Sequence, residues 1–527
     1  MKTTYWPLVS VILVSISIAA SLVLRAPDFP FTPDSAFYIE QARNMLQEGS
    51  ALTYPYSPSV FAKTPDRLFP IGLPIALAAI SLSGIDPREA SIVLSWVSAI
   101  LLPLIFYISF KNSLGDVKAA LLAALAVSSP GILNYAPMGM SDLFALLIAT
   151  SAIGLVLNAR CTSLFAVNGV VVGFAYAVRN ANLALLVTLT LYFFYLWLSR
   201  PLHRTASTKH FLALLAGAAL VIVPVLLRNI SLFGVANPYT MEASTIGLIE
   251  NVRTYISEFF YDLTASRSLG TTIGWSISGF VALLLAMLGF CQLILRLWPQ
   301  LPDDKKDTLF LCTTYSIVGA AVVIAARSRY EWGETINIRH TLQYVPFFWV
   351  ALLAVIPRAS RPALGFKLRH SGIMLVLAVG VLHLAYLAKP QEFARLSRQD
   401  FYAANAFQQG ERHLCTPTEN SLLVSNWALV FRILCNTGVR FVNLATLNNM
   451  ATVAFVDANQ ASQTLVKALV NLSSTFKDKP IKAGFYPSYP GEKLSSLLGD
   501  KNDVLILQES GWVIIQHDDN GLLLAHP

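Results

Sequence analysis

The sequence predicts a mainly α, polytopic membrane protein with about eleven transmembrane helices and a C-terminal α/β domain. Three observations carry this. Of 527 residues, 55% are hydrophobic and only 13% are charged, against about 25% charged in an ordinary soluble domain. Runs of roughly 18–20 residues with almost no charge recur through the N-terminal three quarters of the chain. Beyond Lys389 the composition turns polar, with short β-rich runs between turn signals. A soluble enzyme and a disordered chain are excluded, and five cysteines cannot set a fold of this length.

The clear apolar runs lie near 7–24, 88–110, 117–133, 142–158, 163–178, 182–198, 210–227, 273–296, 309–326, 341–357 and 371–388. One more, 68–84, is short and interrupted by Pro70, Gly72, Pro74 and Gly84. Loop charge decides its status, because Lys and Arg are enriched on the cytoplasmic side. With the N-terminus inside and 68–84 re-entering or lying in the interface, the inside loops carry Lys111, Lys118, Arg160, Arg200, Arg204, Lys209, Arg296, Lys305 and Lys306. The cluster Arg358, Arg361, Lys367 and Arg369 falls inside as well. Counting 68–84 as a span would put that cluster outside. The formal charge of +8 therefore reports orientation, and nucleic acid is not expected as a partner. The first run is long enough to read as an uncleaved span.

This topology makes 1–390 a transmembrane domain with a first outside loop at 25–87, and 391–527 an extracytoplasmic α/β domain. Strands are expected at Leu422–Ser425, Val439–Leu444, Ile481–Tyr486, Val504–Leu507 and Trp512–Gln516, and helices at 427–435 and 445–472. No Gly-rich phosphate loop, metal-ligand cluster or nucleophile elbow occurs there. A lid, an acceptor-docking module and a stabilising cap all fit. Cys415 and Cys435 fall where disulfides persist, as a bridge or as two buried thiols.

Charged residues at the apolar boundary are few. Asp34 lies in FTPDSAFYIE (31–40), where Tyr38, Ala42, Met45 and Leu46 at helical spacing predict a short helix from Thr32 to Gly49. Asp142 follows Met138-Gly-Met-Ser at the start of a span. Either carboxylate reads plainly as a helix start, gaining about 0.3–1 kcal/mol from the helix dipole. Both also fall on the same face at the same depth, as a shared site requires, where partial desolvation suits a carboxylate to act as base toward a hydroxyl.

A late outside loop, RSRYEWGETINIRH (327–340), holds Arg327, Arg329, Tyr330, Trp332, Arg339 and His340. Arginine pairs bidentately with phosphate, and aromatic rings anchor at the interface. Pairing inside the loop is the plainer alternative. Lys63, Arg67 and Arg179 are further cations at the boundary. The segment 248–263 alternates apolar residues at helical spacing with Glu250, Arg253 and Glu258, which predicts an amphipathic helix in the interface.

At these residues the chain resembles the GT-C superfamily of integral-membrane glycosyltransferases, in the group of the protein O-mannosyltransferases and the aminoarabinose transferase of lipid A. The likeness rests on PDSAFYIEQAR (33–43) after the first span, FPIGLP (69–74) before the membrane, Ser141-Asp142 at a later span and RHTLQYVP (339–346). It implies inverting transfer of a sugar from a polyprenyl-phosphate donor to an acceptor hydroxyl on the extracytoplasmic face. The absence of an ER-retention tail favours a bacterial inner membrane, with that face periplasmic, over an endoplasmic one. Asp34 would be the general base, with Asp142 supporting the acceptor or sugar. Lys63, Arg67, Arg327, Arg329 and Arg339 would hold the donor phosphate, where negative charge builds as the glycosidic bond breaks. Tyr38, Arg179, Tyr330 and His340 would position substrate.

The partners implied are the lipid-linked donor, a protein, lipid or glycan acceptor, and membrane lipids. Asp34 is followed by Ser35 and Ala36 rather than by a second acid, so the first-loop motif does not support a divalent metal. Two other functions compete with this one. A transporter of lipid-linked sugars calls for mid-span ionisable residues and an internal repeat, and the sequence shows almost none of the former and no obvious repeat. A polysaccharide polymerase or ligase concentrates function in one large late loop, whereas the late loops here are short.

Overall fold

In this computed structural model the described residues are 5–25, 31–53, 64–67, 69–238, 243–330, 335–356, 422–425, 440–443, 458–475, 477, 480–486, 498, 501–518 and 521–527. In chain order the helices are α1 (Trp6–Arg25), α2 (Pro33–Glu48), α3 (Gly72–Ser81), α4 (Pro87–Leu114), α5 (Asp116–Val127), α6 (Pro130–Tyr135), α7 (Ser141–Asn158), α8 (Thr162–Val178) and α9 (Leu183–Ser199). They continue as α10 (Arg204–Phe233), α11 (Leu248–Thr264), α12 (Arg267–Trp275), α13 (Ile277–Leu297), α14 (Asp303–Arg329), α15 (Ile338–Thr341), α16 (Val345–Val355), α17 (Ala458–Thr475) and α18 (Lys501–Glu509). The chain divides into two compact units. Met1–Ala26, Pro70–Ala76 and Ser91–Pro390 form one; Pro27–Phe69, Leu77–Ala90 and Gln391–Pro527 form the other.

Among the described residues, seven helices are long and apolar enough to cross a membrane: α1, α4, α7, α9, α10, α13 and α14. The apolar faces confirm this physically. On α13, Ile277 is 82% exposed and Leu295 is 73% exposed, apolar surface of the kind that a membrane covers. The chain is an integral membrane protein. α8 and α16 are apolar but shorter. The ten-residue α3 reaches only about 15 Å at 1.5 Å per residue, half of a hydrocarbon core.

The run 117–133 is not one helix. Ser128 closes α5, and Ser129 then accepts the Ile132 N–H at 3.3 Å as the N-cap of α6, with Pro130 in its first turn. That Ser-Pro start satisfies a new helix N-terminus and breaks the apolar run there. The run 341–357 shortens to the eleven residues of α16, whose end is held by Lys118 Nζ on the carbonyls of Leu353 (3.1 Å) and Ile356 (2.5 Å). The run 371–388 lies outside the described residues.

The core of this unit joins α4, α14 and α16 through Phe106, Tyr315 and Phe347, whose rings lie 5.8 and 4.9 Å apart around Phe347. α8 and α10 touch backbone to backbone. A Cβ on Gly217 would stand 2.0 Å from the Ala166 carbonyl, and one on Gly169 would stand 2.1 Å from that of Leu214. Small residues let membrane helices approach this closely.

In the other unit, β1 (Leu52–Thr53) pairs antiparallel with β2 (Thr64–Pro65), and Arg43 on α2 binds Asp86 at 3.0 Å. The C-terminal region holds β3 (Leu422–Ser425), β4 (Arg440–Asn443), β5 (Ile481–Phe485), β6 (Val513–Asp518) and β7 (Gly521–His526) in the order β4-β3-β5-β7-β6. β3 pairs parallel with β4 and β5, while β7 pairs antiparallel with β5 and β6. Leu465, Leu469 and Leu472 of α17 pack on it with Trp512.

In this region one expected strand fails and one strand was not expected. Val504–Leu507 belongs to α18, because Asp503 and Leu507, four residues apart, are its buried positions. β7, at the apolar end of the chain, was not anticipated. Of the expected helices, 427–435 lies outside the described residues, as do Cys415 and Cys435.

Candidate functional site

At one end of the first unit, α7 begins with Ser141 and Asp142, and the Asp142 side chain is fully buried. Its Oδ2 accepts from Nε of Arg339 at 3.2 Å, and Arg179 pairs with Oδ1. Arg179 follows the last turn of α8 in extended conformation. Arg339 comes from the single turn of α15. That turn is capped by Asn337, whose Oδ1 accepts the Arg339 N–H at 3.0 Å, while His340 Nδ1 accepts the Asn337 N–H at 3.2 Å. The trio therefore carries a net positive charge. Where these three segments, far apart in sequence, meet, one buried carboxylate offsets part of each guanidinium's desolvation cost.

His340 is neutral. Burial, reinforced by the charges of Arg339, Arg179 and Arg327, holds its pKa well below the usual imidazole value. Because Nδ1 accepts, the ring proton sits on Nε2. Tyr344 lies behind the trio, its ring 5.3 Å from that of Tyr315. Burial pushes its hydroxyl up to about 12, against the pull of Arg179, so it remains a donor.

The other residues of the late loop do different work. Arg327 is almost fully buried and donates through Nη1 to Ser244 Oγ (3.0 Å) and to the Tyr330 carbonyl (3.1 Å). Ala243 bridges Tyr330, and the Arg329 carbonyl accepts the Ser244 N–H at 3.2 Å. Arg327 thus ties the end of α14 to the 243–246 segment. Arg329 is exposed, its guanidinium 5.2 Å from the Tyr330 ring. Trp332 lies outside the described residues, as does Lys63.

Asp34, Tyr38 and Arg67 belong to the second unit. Asp34 is half-buried in the first turn of α2. The cap of that helix is made by Thr32 and Ser35, with the Thr32 N–H donating to Ser35 Oγ at 3.1 Å. Tyr38 is buried, edge-on to Phe69 at 5.2 Å. Arg67 is exposed. Among the described residues no three His, Cys, Asp or Glu side chains gather as metal ligands.

No protein-family model matches the chain, and no curated protein sequence matches it. Solved structures do. ArnT from Cupriavidus metallidurans, bound to undecaprenyl phosphate, matches with a TM-score of 0.55 over 99% of this chain and 98% of its own, at 14% identity. The oligosaccharyltransferase of Archaeoglobus fulgidus in the apo form matches at 0.51 over 91% and 70%, with 12% identity. The same organism's AglB, in complex with an inhibitory peptide and a dolichol-phosphate, matches at 0.50 over 91% and 69%, with 11% identity. The chain has the GT-C fold.

Within this GT-C fold one buried carboxylate escaped the sequence reading. Asp262, on α11, is fully buried; its Oδ1 accepts the Gly131 N–H at 2.6 Å and its Oδ2 accepts from Thr341 Oγ1 at 3.4 Å. The helical pattern of 248–263 is correct, but Glu258 does not face solvent as expected. It is 9% exposed and pairs with Arg267, whose guanidinium lies 3.7 Å from the Tyr261 ring. Glu258 and Asp262 stand four residues apart on one face, and that pairing within an aromatic run was the available signal.

Burial raises the Asp262 pKa to about 7, opposed by the bonds from Gly131, Ser129 and Thr341 and aided by Glu258. The folded chain therefore binds a proton between about pH 4 and 7 that the unfolded chain lacks. Stability falls as pH rises through that window and is flat above it, by at most about 4 kcal/mol. Asp262→Asn removes this slope. Its thermal midpoint, measured against wild type in nanodiscs, is expected to gain on wild type as the pH rises through the window; a pH-independent difference contradicts the assignment.

Proposed function

We propose that this chain is a glycosyltransferase that moves a sugar from a polyprenyl-phosphate carrier to an acceptor hydroxyl on the extracytoplasmic face of a bacterial inner membrane. The observation that carries this reading is the Arg179–Asp142–Arg339 trio, two guanidiniums sharing one buried carboxylate at an end of a bundle with the GT-C fold. A carrier phosphate is an anion that arginine guanidiniums bind bidentately. ArnT holding undecaprenyl phosphate and AglB holding a dolichol-phosphate support the same ligand class.

In the reaction, the acceptor oxygen bonds to the anomeric carbon from the face opposite the phosphate, and the carbon–phosphate-oxygen bond breaks. Asp34 takes the acceptor proton. The leaving phosphate gathers negative charge against Arg179 and Arg339, which Asp142 holds in place. Both oxygens of Asp142 are engaged by arginine, so its role is to orient those cations and through them the sugar. His340 offers its Nε2 proton to substrate. Arg327 serves by holding the late loop, and Tyr38 by seating Phe69. Arg329 with Tyr330, Arg67 and Lys63 meet the carrier headgroup on its approach.

The test is binding of undecaprenyl phosphate to the full-length protein in nanodiscs. Arg339→Ala is expected to weaken it about tenfold or more, the worth of one charge-assisted contact, and Arg339→Lys to recover only part. Unchanged affinity in Arg339→Ala would refute the phosphate assignment.

A further inference from the structure

Arg339 sits on a helical turn of four residues, Ile338–Thr341. So short a helix cannot hold its own orientation, because forming one isolated turn is unfavourable. Its position must be set by what it touches. Asn337 caps it from within the chain. From outside, beside the Arg339–Asp142 pair, Asp262 meets it. The Asp262 Oδ2 lies 3.4 Å from Thr341 Oγ1, a hydroxyl that also lies 3.1 Å from the Ile338 carbonyl, while its Oδ1 accepts the Gly131 N–H at 2.6 Å.

Those two bonds join three elements. Asp262 is near the end of α11, Thr341 ends α15, and Gly131 lies in the first turn of α6 behind its Ser129 cap. The first-turn N–H of Gly131 has no carbonyl of its own helix to reach, so a carboxylate from elsewhere satisfies it. The site is built for that approach. A Cβ on Gly131 would stand 2.9 Å from Asp262 Oδ1, 3.0 Å from Oδ2 and 2.8 Å from the Leu342 Cβ. Only glycine leaves room for the carboxylate and for the residue after Thr341 together.

We propose that Asp262 is a positioning residue of the arginine trio: from α11 it fixes the α15 turn, and so sets where Arg339 meets Asp142 and the ligand. The inference rests on the reading of Arg339 as a phosphate contact. Asp262 touches no ligand itself. It acts through Thr341, two residues from Arg339, and its effect must vanish when the Arg339 guanidinium is gone.

A double-mutant cycle on undecaprenyl phosphate binding tests this, using full-length protein in nanodiscs with thermal midpoints recorded in parallel. Thr341→Val keeps the shape of the side chain and removes its bonds to Asp262 and to the Ile338 carbonyl, so it is read beside Asp262→Ala, which removes only the first of these. Thr341→Val is expected to weaken binding about threefold to tenfold, the worth of one ordinary hydrogen bond, with the midpoint close to wild type. Asp262→Ala weakens it at least as much. Asp262→Asn keeps an oxygen for Gly131 and turns an amide toward Thr341, whose hydroxyl then accepts, so it binds close to wild type. In the Arg339→Ala background Thr341→Val has no further effect.

Wild-type affinity in Thr341→Val, or a loss that adds in full to that of Arg339→Ala, overturns the positioning role. An Arg339→Ala protein that binds like wild type overturns the phosphate reading first, and the inference with it, so the two failures are told apart by the single variant.

Discussion

Asp34→Asn is expected to lower sugar transfer from a polyprenyl-phosphate donor by about 10²–10⁴-fold, the usual worth of a general base, while leaving undecaprenyl phosphate binding and expression unchanged. The alternative assigns Asp34 only to the start of α2. The geometry separates the two. Thr32 and Ser35 already make the capping box, and Pro33 opens the helix, so Asp34 is not the capping side chain. Its interaction with the helix dipole is worth about 0.3–1 kcal/mol, which a change to Asn would forfeit without unfolding the protein. A large loss of transfer at nearly constant stability therefore marks a chemical role. Retained transfer would return Asp34 to the helix start.

Asp142→Ala is expected to have the largest effect on the protein itself. It leaves Arg179 and Arg339, both largely buried beside a fully buried position, facing each other with no carboxylate between them. Breaking a buried ion pair by removing one partner costs about 3–5 kcal/mol. Loss of folded protein from the membrane fraction is the expected result. Replacing the cluster with apolar residues of similar volume, Asp142→Leu with Arg179→Met and Arg339→Met, should restore folding, because well-packed apolar groups often match a buried ion cluster in stability. Transfer should stay absent. If Asp142→Ala folds and binds undecaprenyl phosphate as wild type does, the trio is neither a structural nor a binding unit.

The membrane character and the helices were legible because burial in lipid leaves a strong mark: long uncharged runs, read one at a time. Where the reading failed, a local rule overrode hydropathy. The Ser129-Pro130 start split one run into α5 and α6, and in α18 the four-residue spacing of Asp503 and Leu507 prevailed over a β-rich composition. The trio was half legible. Asp142, Arg179 and Arg339 each stood out as a rare charge at the apolar boundary, but nothing in one sequence says that residues 142, 179 and 339 converge, or that Arg327 turns away to Ser244. Asp262 was invisible because its partners are a backbone N–H and a threonine, contacts that leave no charge pattern behind.

The most direct test is a structure of the full-length protein with undecaprenyl phosphate. The phosphate oxygens should lie within hydrogen-bond distance of the guanidinium of Arg179, Arg339 or both, with Asp142 still between the two arginines. A phosphate seated on other cations, with the trio closed on itself and untouched, would contradict the account.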